Sequence, residues 1–218
     1  AMNYTCYSQM QADFDKMLLS DIPGQNYDCD LISDVGNGFP NTGHSVATRC
    51  VCYSSTASKS PTLRTSLFDP LRQGNMVYIS QRDSGLFYIL ENEAQQMPNC
   101  YTAVVTRCNV YVTIKQTVPP QTDELGYAVG DGKETELTLL KRIPAVARHA
   151  QTLTTAQNAA GLRIADTLTL TTQLNEFTSA VPVEAWFMLD KERYTVRDVI
   201  TDNGIVTFYC SRQAGSRE

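Results

Sequence analysis

Gln73–Gln116, QGNMVYISQRDSGLFYILENEAQQMPNCYTAVVTRCNVYVTIKQ, reads as strand, turn, strand, loop and then one long strand. From Ala103 to Lys115 the pattern has a period of two: Val104, Thr106, Cys108, Val110, Val112 and Ile114 fall on one face, and Arg107, Asn109, Thr113 and Lys115 on the other. Such alternation predicts a strand with one buried and one wet face. Much of the unit recurs near the C-terminus, where Ala185–Cys210, AWFMLDKERYTVRDVITDNGIVTFYC, again gives strand, tight turn, aromatic-led strand, turn and strand. The chain is therefore expected to be mainly β, with two related small β-barrel units.

Working outward, Met10, Phe14, Met17 and Leu18 lie on one helical stripe and predict a short amphipathic helix over Tyr7–Ser20. Ile22-Pro23-Gly24 and the glycine-rich Asp34–Gly43 mark a break before a strand at Ser45–Tyr53, expected at a sheet edge or paired with a distant partner. Residues 54–66, rich in Ser and Thr, read as a polar loop. Val118-Pro119-Pro120 ends the long strand, because proline cannot donate to a ladder. Leu125–Val129 and Thr135–Leu140 flank the GDGK turn Gly130–Lys133 and predict a hairpin, and Ala145–Ala160 reads as strand plus loop. Ala165–Phe177 alternates Leu168, Leu170 and Leu174 with threonine, as a strand with one apolar face does. Asn203-Gly204 supplies the dipeptide a type I′ turn requires, so Val196–Ile200 should pair with Ile205–Cys210. The expected organisation is a helix and loop arm at 2–65, a first β-barrel unit at 66–120, an inserted β/loop region at 121–164 and a second β-unit at 165–218.

The composition narrows the function. With 218 residues and 42% hydrophobic content the chain has enough material for one or two cores. No apolar run approaches the roughly 18 residues of a spanning helix, and the N-terminus lacks the basic-then-apolar pattern of a secretory signal. A soluble protein without membrane contact, not exported by that route, is expected. Ala1 before Met2 reads as a tag residue, with Met2 the native start. Eighteen basic against twenty-three acidic side chains give a formal charge of −5, with no cluster of Lys or Arg, which argues against a surface that grips a phosphate backbone. An acidic wall that lets DNA pass without sticking is compatible with it. Seven cysteines (6, 29, 50, 52, 100, 108 and 210) are an odd count without framework spacing, so reduced structural thiols are expected.

Catalytic chemistry has few candidates. The two histidines are His44 and His149. His44 lies near Cys50 and Cys52, so a Cys-His pair is one reading, against a loop histidine beside two strand cysteines. Cys50 and Cys52 are one residue apart, where a zinc knuckle wants a wider gap and a second pair. Gly36-Asn37-Gly38 and the GDGK turn do not match a phosphate-cradling loop. Glu91, Glu93, Asp123 and Glu124 read as a solvated edge rather than an acid/base pair. Trp186, Phe187, Tyr78, Phe87 and Tyr88 sit among aliphatics and read as core. No enzyme, cofactor or metal is expected.

One ordered set of segments goes further. A glycine-led strand, NMVYI (Asn75–Ile79), precedes LFYILE (Leu86–Glu91), with Tyr88-Ile89-Leu90 where a Trp-Leu or Tyr-Leu-Val sequence is usual. A strand with Arg107-Cys108-Asn109 comes next, and later RYTVRDV (Arg193–Val199) and GIVTFY (Gly204–Tyr209). Over about residues 66–116 and 140–210 this resembles the head-closure or connector proteins of tailed bacteriophages. The resemblance implies SH3-like small barrels with an inserted β-region, in a structural protein of the virion neck. Implied partners are a homo-oligomeric ring of twelve- or six-fold symmetry, a portal or adaptor ring, tail proteins, and packaged DNA that passes through the lumen without sequence-specific contact. The amphipathic helix is expected to reach a neighbouring ring, and Asp34–Gly43 and Gly130–Lys133 are the loops expected to close the channel. The other reading is a β-barrel ligand-binding module or a hydrolase using His44 with Cys50 or Cys52.

Overall fold

The computed structural model describes residues 4–19, 26–38, 44–53, 60–79, 86–120, 125, 133–154 and 163–213. Two β-structures, an eight-stranded sheet and a closed six-stranded barrel, make up most of it. Among the described residues no helix is long and apolar enough to cross a membrane.

The helix α1 (Tyr4–Leu19) leads into the first sheet, whose strands are β1 (Asn26–Asp34), β2 (His44–Tyr53), β3 (Thr62–Thr65), β4 (Met76–Ile79), β5 (Leu86–Ile89), β6 (Gln95–Gln96), β7 (Tyr101–Val104) and β8 (Thr106–Arg107). Their order across the sheet is β6-β7-β3-β2-β1-β4-β5-β8. Strands β7 and β8 lie towards opposite ends, on β3 and β5, yet only Val105 separates them in sequence. One short segment therefore serves both ends and curls the sheet around a core that includes Leu31, Cys50, Cys52, Leu63, Ile79, Leu90 and Val105.

Four expectations are corrected in this half. The 2–65 stretch is no loop arm beyond its helix: β1, which the sequence reading passed over, is flanked by β2 and β4 in the middle of the sheet. Strand β2 is interior, between β1 and β3, rather than at an edge, because its inward side chains Cys50 and Cys52 are core residues. The polar loop expected over 54–66 contains β3, while 54–59 fall outside the described residues. The long strand expected at Ala103–Lys115 is also broken. Its alternation slips at Val104, which is exposed, and Val105, which is buried, where the chain passes from β3 to β5.

The barrel is formed by β9 (Val110–Val118), β10 (Thr135–Thr154), β11 (Arg163–Gln173), β12 (Trp186–Leu189), β13 (Glu192–Asp202) and β14 (Ile205–Arg212), closing in the order β10-β11-β14-β13-β12-β9. A short helix, α2 (Glu176–Ser179), is set by a capping box in which Asn175 accepts from the Thr178 backbone and Thr178 bonds back. Inward alternation fills the barrel with Val112, Ile114, Leu168, Leu170, Phe187, Val196 and Phe208. Strand β10 is a barrel wall, paired to β9 and β11, so 121–164 is not a separate insertion. Thr135–Leu140 pairs with β9; its expected partner Leu125–Val129 lies outside the described residues apart from Leu125. Register slips on β10 between Leu140 and Ile143, where Arg142 has φ 52°, bend this long strand around the barrel. The Asn203-Gly204 hairpin is as expected, with Asp202 opposite Ile205 and both turn residues at positive φ.

Sheet and barrel share a core. Ile32, Val35, Met76, Phe87 and Ile89 of the sheet pack in one cluster with Val112, Ile114, Leu168 and Phe208 of the barrel.

Candidate functional site

His44 opens β2 and is exposed, opposite Asp34. Cys50 and Cys52 are buried further along the same strand, and at a rise of about 3.3 Å per residue they lie roughly 20 and 26 Å from it. Extended backbone thus prevents the Cys-His pair. His149, on β10, makes an edge-to-face ring contact with Tyr194 at 6.3 Å. Cys29, Cys50, Cys52, Cys100, Cys108 and Cys210 are all buried. Burial pushes the Cys210 thiol up to about 12 and the Cys108 thiol further still, the latter helped by the nearby Glu91 charge, so neither is a nucleophile near neutral pH. Among the described residues no cluster of His, Cys, Asp or Glu is arranged to hold a metal.

The carboxylates do not converge either. Glu91 accepts from Arg148 at 2.7 Å and from Thr106 at 2.6 Å, Glu93 is exposed, and Asp123 and Glu124 are outside the described residues. Burial alone would raise the Glu91 carboxyl, but the Arg148 and Thr106 hydrogen bonds and the guanidinium charge outweigh it and hold it below its ordinary value. Glu91 follows β5 and Arg148 is on β10, so the pair ties sheet to barrel.

The Arg107-Cys108-Asn109 triplet sits where the chain leaves the sheet for the barrel. The Cys108 N–H donates to Phe87 of β5 at 2.9 Å, and the Asn109 N–H donates to Ala145 of β10 at 3.1 Å. The Asn109 side chain then grips the Ala147 backbone, accepting its N–H at 2.7 Å and donating to its carbonyl at 2.9 Å. An amide of this length supplies a donor and an acceptor to one residue of a strand, which a carboxylate or an aliphatic side chain does not. Cys108 is buried as a small hydrophobe, as expected.

Further ties surround this crossing. Gln173, 2% exposed, accepts from the Val35 N–H at 2.6 Å and donates to the carbonyls of Ile32 at 3.1 Å and Gly74 at 2.8 Å. The Asn175 amide donates to Asp34 and to the Gly36 carbonyl, and the Lys141 N–H donates to Asn37. Residues 34–38 of the expected closing loop are therefore fastened to the barrel. Residues 39–43 and 126–132 lie outside the described part. Part of the α1 stripe is covered by its own sheet: Phe14 is buried in a cluster with Val51 and Cys100, with Met17 and Tyr53 packed against it, while Met10 is exposed.

What the barrel leaves open is a groove of about 360 Å³ beside its β9–β12 seam. The seam is held in register by one pair, Trp186 opposite Lys115. Tyr111, Thr113 and Lys115 of β9, Glu136 of β10, Trp186 and Met188 of β12 and Arg193 of β13 line it. Trp186 is packed under cations, with the Arg193 guanidinium 4.1 Å and the Lys115 ammonium 5.2 Å from its ring, and its indole N–H donates to Thr117 at 3.2 Å. Arg142 adds a third cation over Tyr111 at 5.8 Å, whereas Lys115 pairs with Glu136 at 2.8 Å. The Nε of Arg193 is buried and has no hydrogen-bond partner. Trp186, Phe187, Phe87 and Tyr88 are buried and Tyr78 packs against the core, as read from sequence. The groove itself was not foreseen. Its outward residues are legible one strand at a time, but the β9–β12 pairing that assembles them is long-range.

No family model matches the chain, and no curated protein matches it. Among solved structures it is similar to MrkH of K. pneumonia in its apo state, at 10% identity over 95% of this chain and 86% of that one, with a TM-score of 0.24. It is also similar to a second structure of MrkH, described as a c-di-GMP dependence transcription regulatory factor, at 12% identity over 95% and 83% of the two chains and a TM-score of 0.19. Likeness of that degree carries no argument.

Proposed function

We propose that the chain is a structural subunit of a tailed-phage neck, assembling as a ring between portal and tail, joining head to tail and helping to retain the packaged DNA. The observation that carries this reading is the ordered set of segments NMVYI, LFYILE, Arg107-Cys108-Asn109, RYTVRDV and GIVTFY, which resembles the head-closure and connector proteins. Among the described residues, the candidate catalytic groups read from the sequence are not brought together. His44 lies far along β2 from Cys50 and Cys52, both thiols are buried, and well-satisfied polar groups fasten one β-structure to the other. A rigid two-part body suits a subunit that has to hold its place in a ring under load. A lumen lined by such a chain, of net charge −5, guides DNA without gripping it.

A phage carrying an early stop codon in this gene tests the reading. Cells infected with it should accumulate separate heads and tails, and the heads should lose their DNA to added nuclease. Joined, infectious particles from that mutant would overturn it. Filter binding of duplex DNA at about 0.15 M salt, where committed binders reach nanomolar affinity, should show little retention.

A further inference from the structure

A lone exposed phenylalanine needs no explanation, but Phe68 stands on a turn that is fastened by its neighbours. It is 81% exposed, on the turn between β3 and β4. The Asp69 N–H donates to the Ser66 carbonyl at 3.0 Å, Thr65 Oγ1 donates to the Asp69 carbonyl at 2.9 Å, and Ser66 Oγ bonds to Asp15 of α1 at 3.0 Å. The turn is fixed at both ends and from the side. Beside the ring, the Asp69 carboxylate takes one hydrogen bond, from Thr48. An aromatic on a fastened turn next to a carboxylate is the composition of an interface anchor, because little backbone entropy remains to be lost on docking.

The barrel groove is its complement in shape and charge. It offers apolar surface from Tyr111 and Met188, 45% and 38% exposed, with Trp186 at its floor. Its cations are Arg193, stacked over Trp186, and Lys115, which is paired with Glu136 of the same lining. An entering carboxylate meets the Arg193 guanidinium that lines the groove, and an entering ring covers the exposed apolar edge.

We infer that the Phe68–Asp69 turn of one copy seats in the Tyr111–Trp186–Met188–Arg193 groove of the next copy. Knob and groove lie on different parts of the chain, the knob on the sheet and the groove on the barrel. The contact is therefore heterologous, head to tail, and closes into a ring when the rotation per subunit divides the circle. This rests on the ring reading above and adds which surfaces meet.

The test uses two variants of the full chain, Phe68→Ser and Met188→Glu, each checked for an unchanged melting temperature, with assembly read by sedimentation velocity. Wild-type protein should form a large closed species, and each variant alone should stay monomeric. Mixed, they should form a dimer and nothing larger, because Phe68→Ser keeps its groove and Met188→Glu keeps its knob. Trp186 is the one tryptophan, so its emission should shift with concentration in wild-type protein and not in Phe68→Ser. A Phe68→Ser protein that assembles like wild type overturns this contact and leaves the ring intact. A wild-type chain that stays monomeric at every concentration, both alone and with the portal ring of the same phage, overturns both.

Discussion

Gly74 and Gly204 meet backbone to backbone where the sheet touches the barrel: a Cβ on Gly74 would lie 1.9 Å from the Gly204 carbonyl oxygen, and one on Gly204 would lie 2.3 Å from the Gln73 carbonyl oxygen. Both have positive φ, 86° and 93°. The same Gly204 oxygen accepts from the Leu174 N–H at 2.8 Å, so the hairpin tip cannot retreat without losing that bond.

Gly204→Ala should therefore cost more than the usual positive-φ penalty, about 3 kcal/mol or more in total, because strain and a backbone clash act together. Urea unfolding checks it, with Gly36→Ala, at φ 61°, as a comparison at another positive-φ glycine.

Gln173→Met keeps the volume of the side chain and removes its three hydrogen bonds, leaving the Val35 N–H and the Ile32 and Gly74 carbonyls without that partner. A loss of about 2–4 kcal/mol is expected. Hydrogen exchange should rise most at Val35. Exchange unchanged there would mean that the amide does not hold the two parts together.

Glu91 titrates below its ordinary value of 4.5 in the folded chain. A carboxyl depressed by folding contributes stability that is complete above its unfolded pKa and disappears as pH falls through the folded one. Wild-type stability should thus fall from about pH 4.5 downward, and Glu91→Gln should be less stable at pH 7 with a shallower acid dependence. Thermal melts between pH 7 and pH 3 measure both. Parallel curves for the two proteins would contradict the assignment.

The thiols should be inert in the native state. Iodoacetamide at pH 8 should leave Cys108 and Cys210 unmodified, since burial raises both, Cys210 to about 12. Denaturant should release seven free thiols in the whole chain. Mass spectrometry under non-reducing conditions reads the result.

How far the sequence reaches is clearest strand by strand. Strands β11, β13 and β14 announce themselves by period two and by Asn203-Gly204, because each has one face in the barrel and one outside. In β1 the alternation of Asp28, Cys29, Asp30 and Leu31 is present, but the aspartates suppress β propensity and hide a strand that sits mid-sheet. The unbroken pattern from Ala103 to Lys115 conceals the division into β7, β8 and β9, because the reason for the break is distant: β3 and β5 recruit neighbouring segments to opposite ends of one sheet. The Arg-Cys-Asn triplet is visible in sequence. That its asparagine clamps Ala147 depends on β10 lying alongside, which no local spacing reveals.

The central claim is ring assembly in a phage neck, and light scattering followed by negative-stain imaging, with and without the portal ring of the same phage, tests it most directly. The account predicts closed rings with a central channel, either alone or stacked coaxially on the portal. Monodisperse particles of a single 24.2 kDa chain that ignore the portal at every concentration would contradict it.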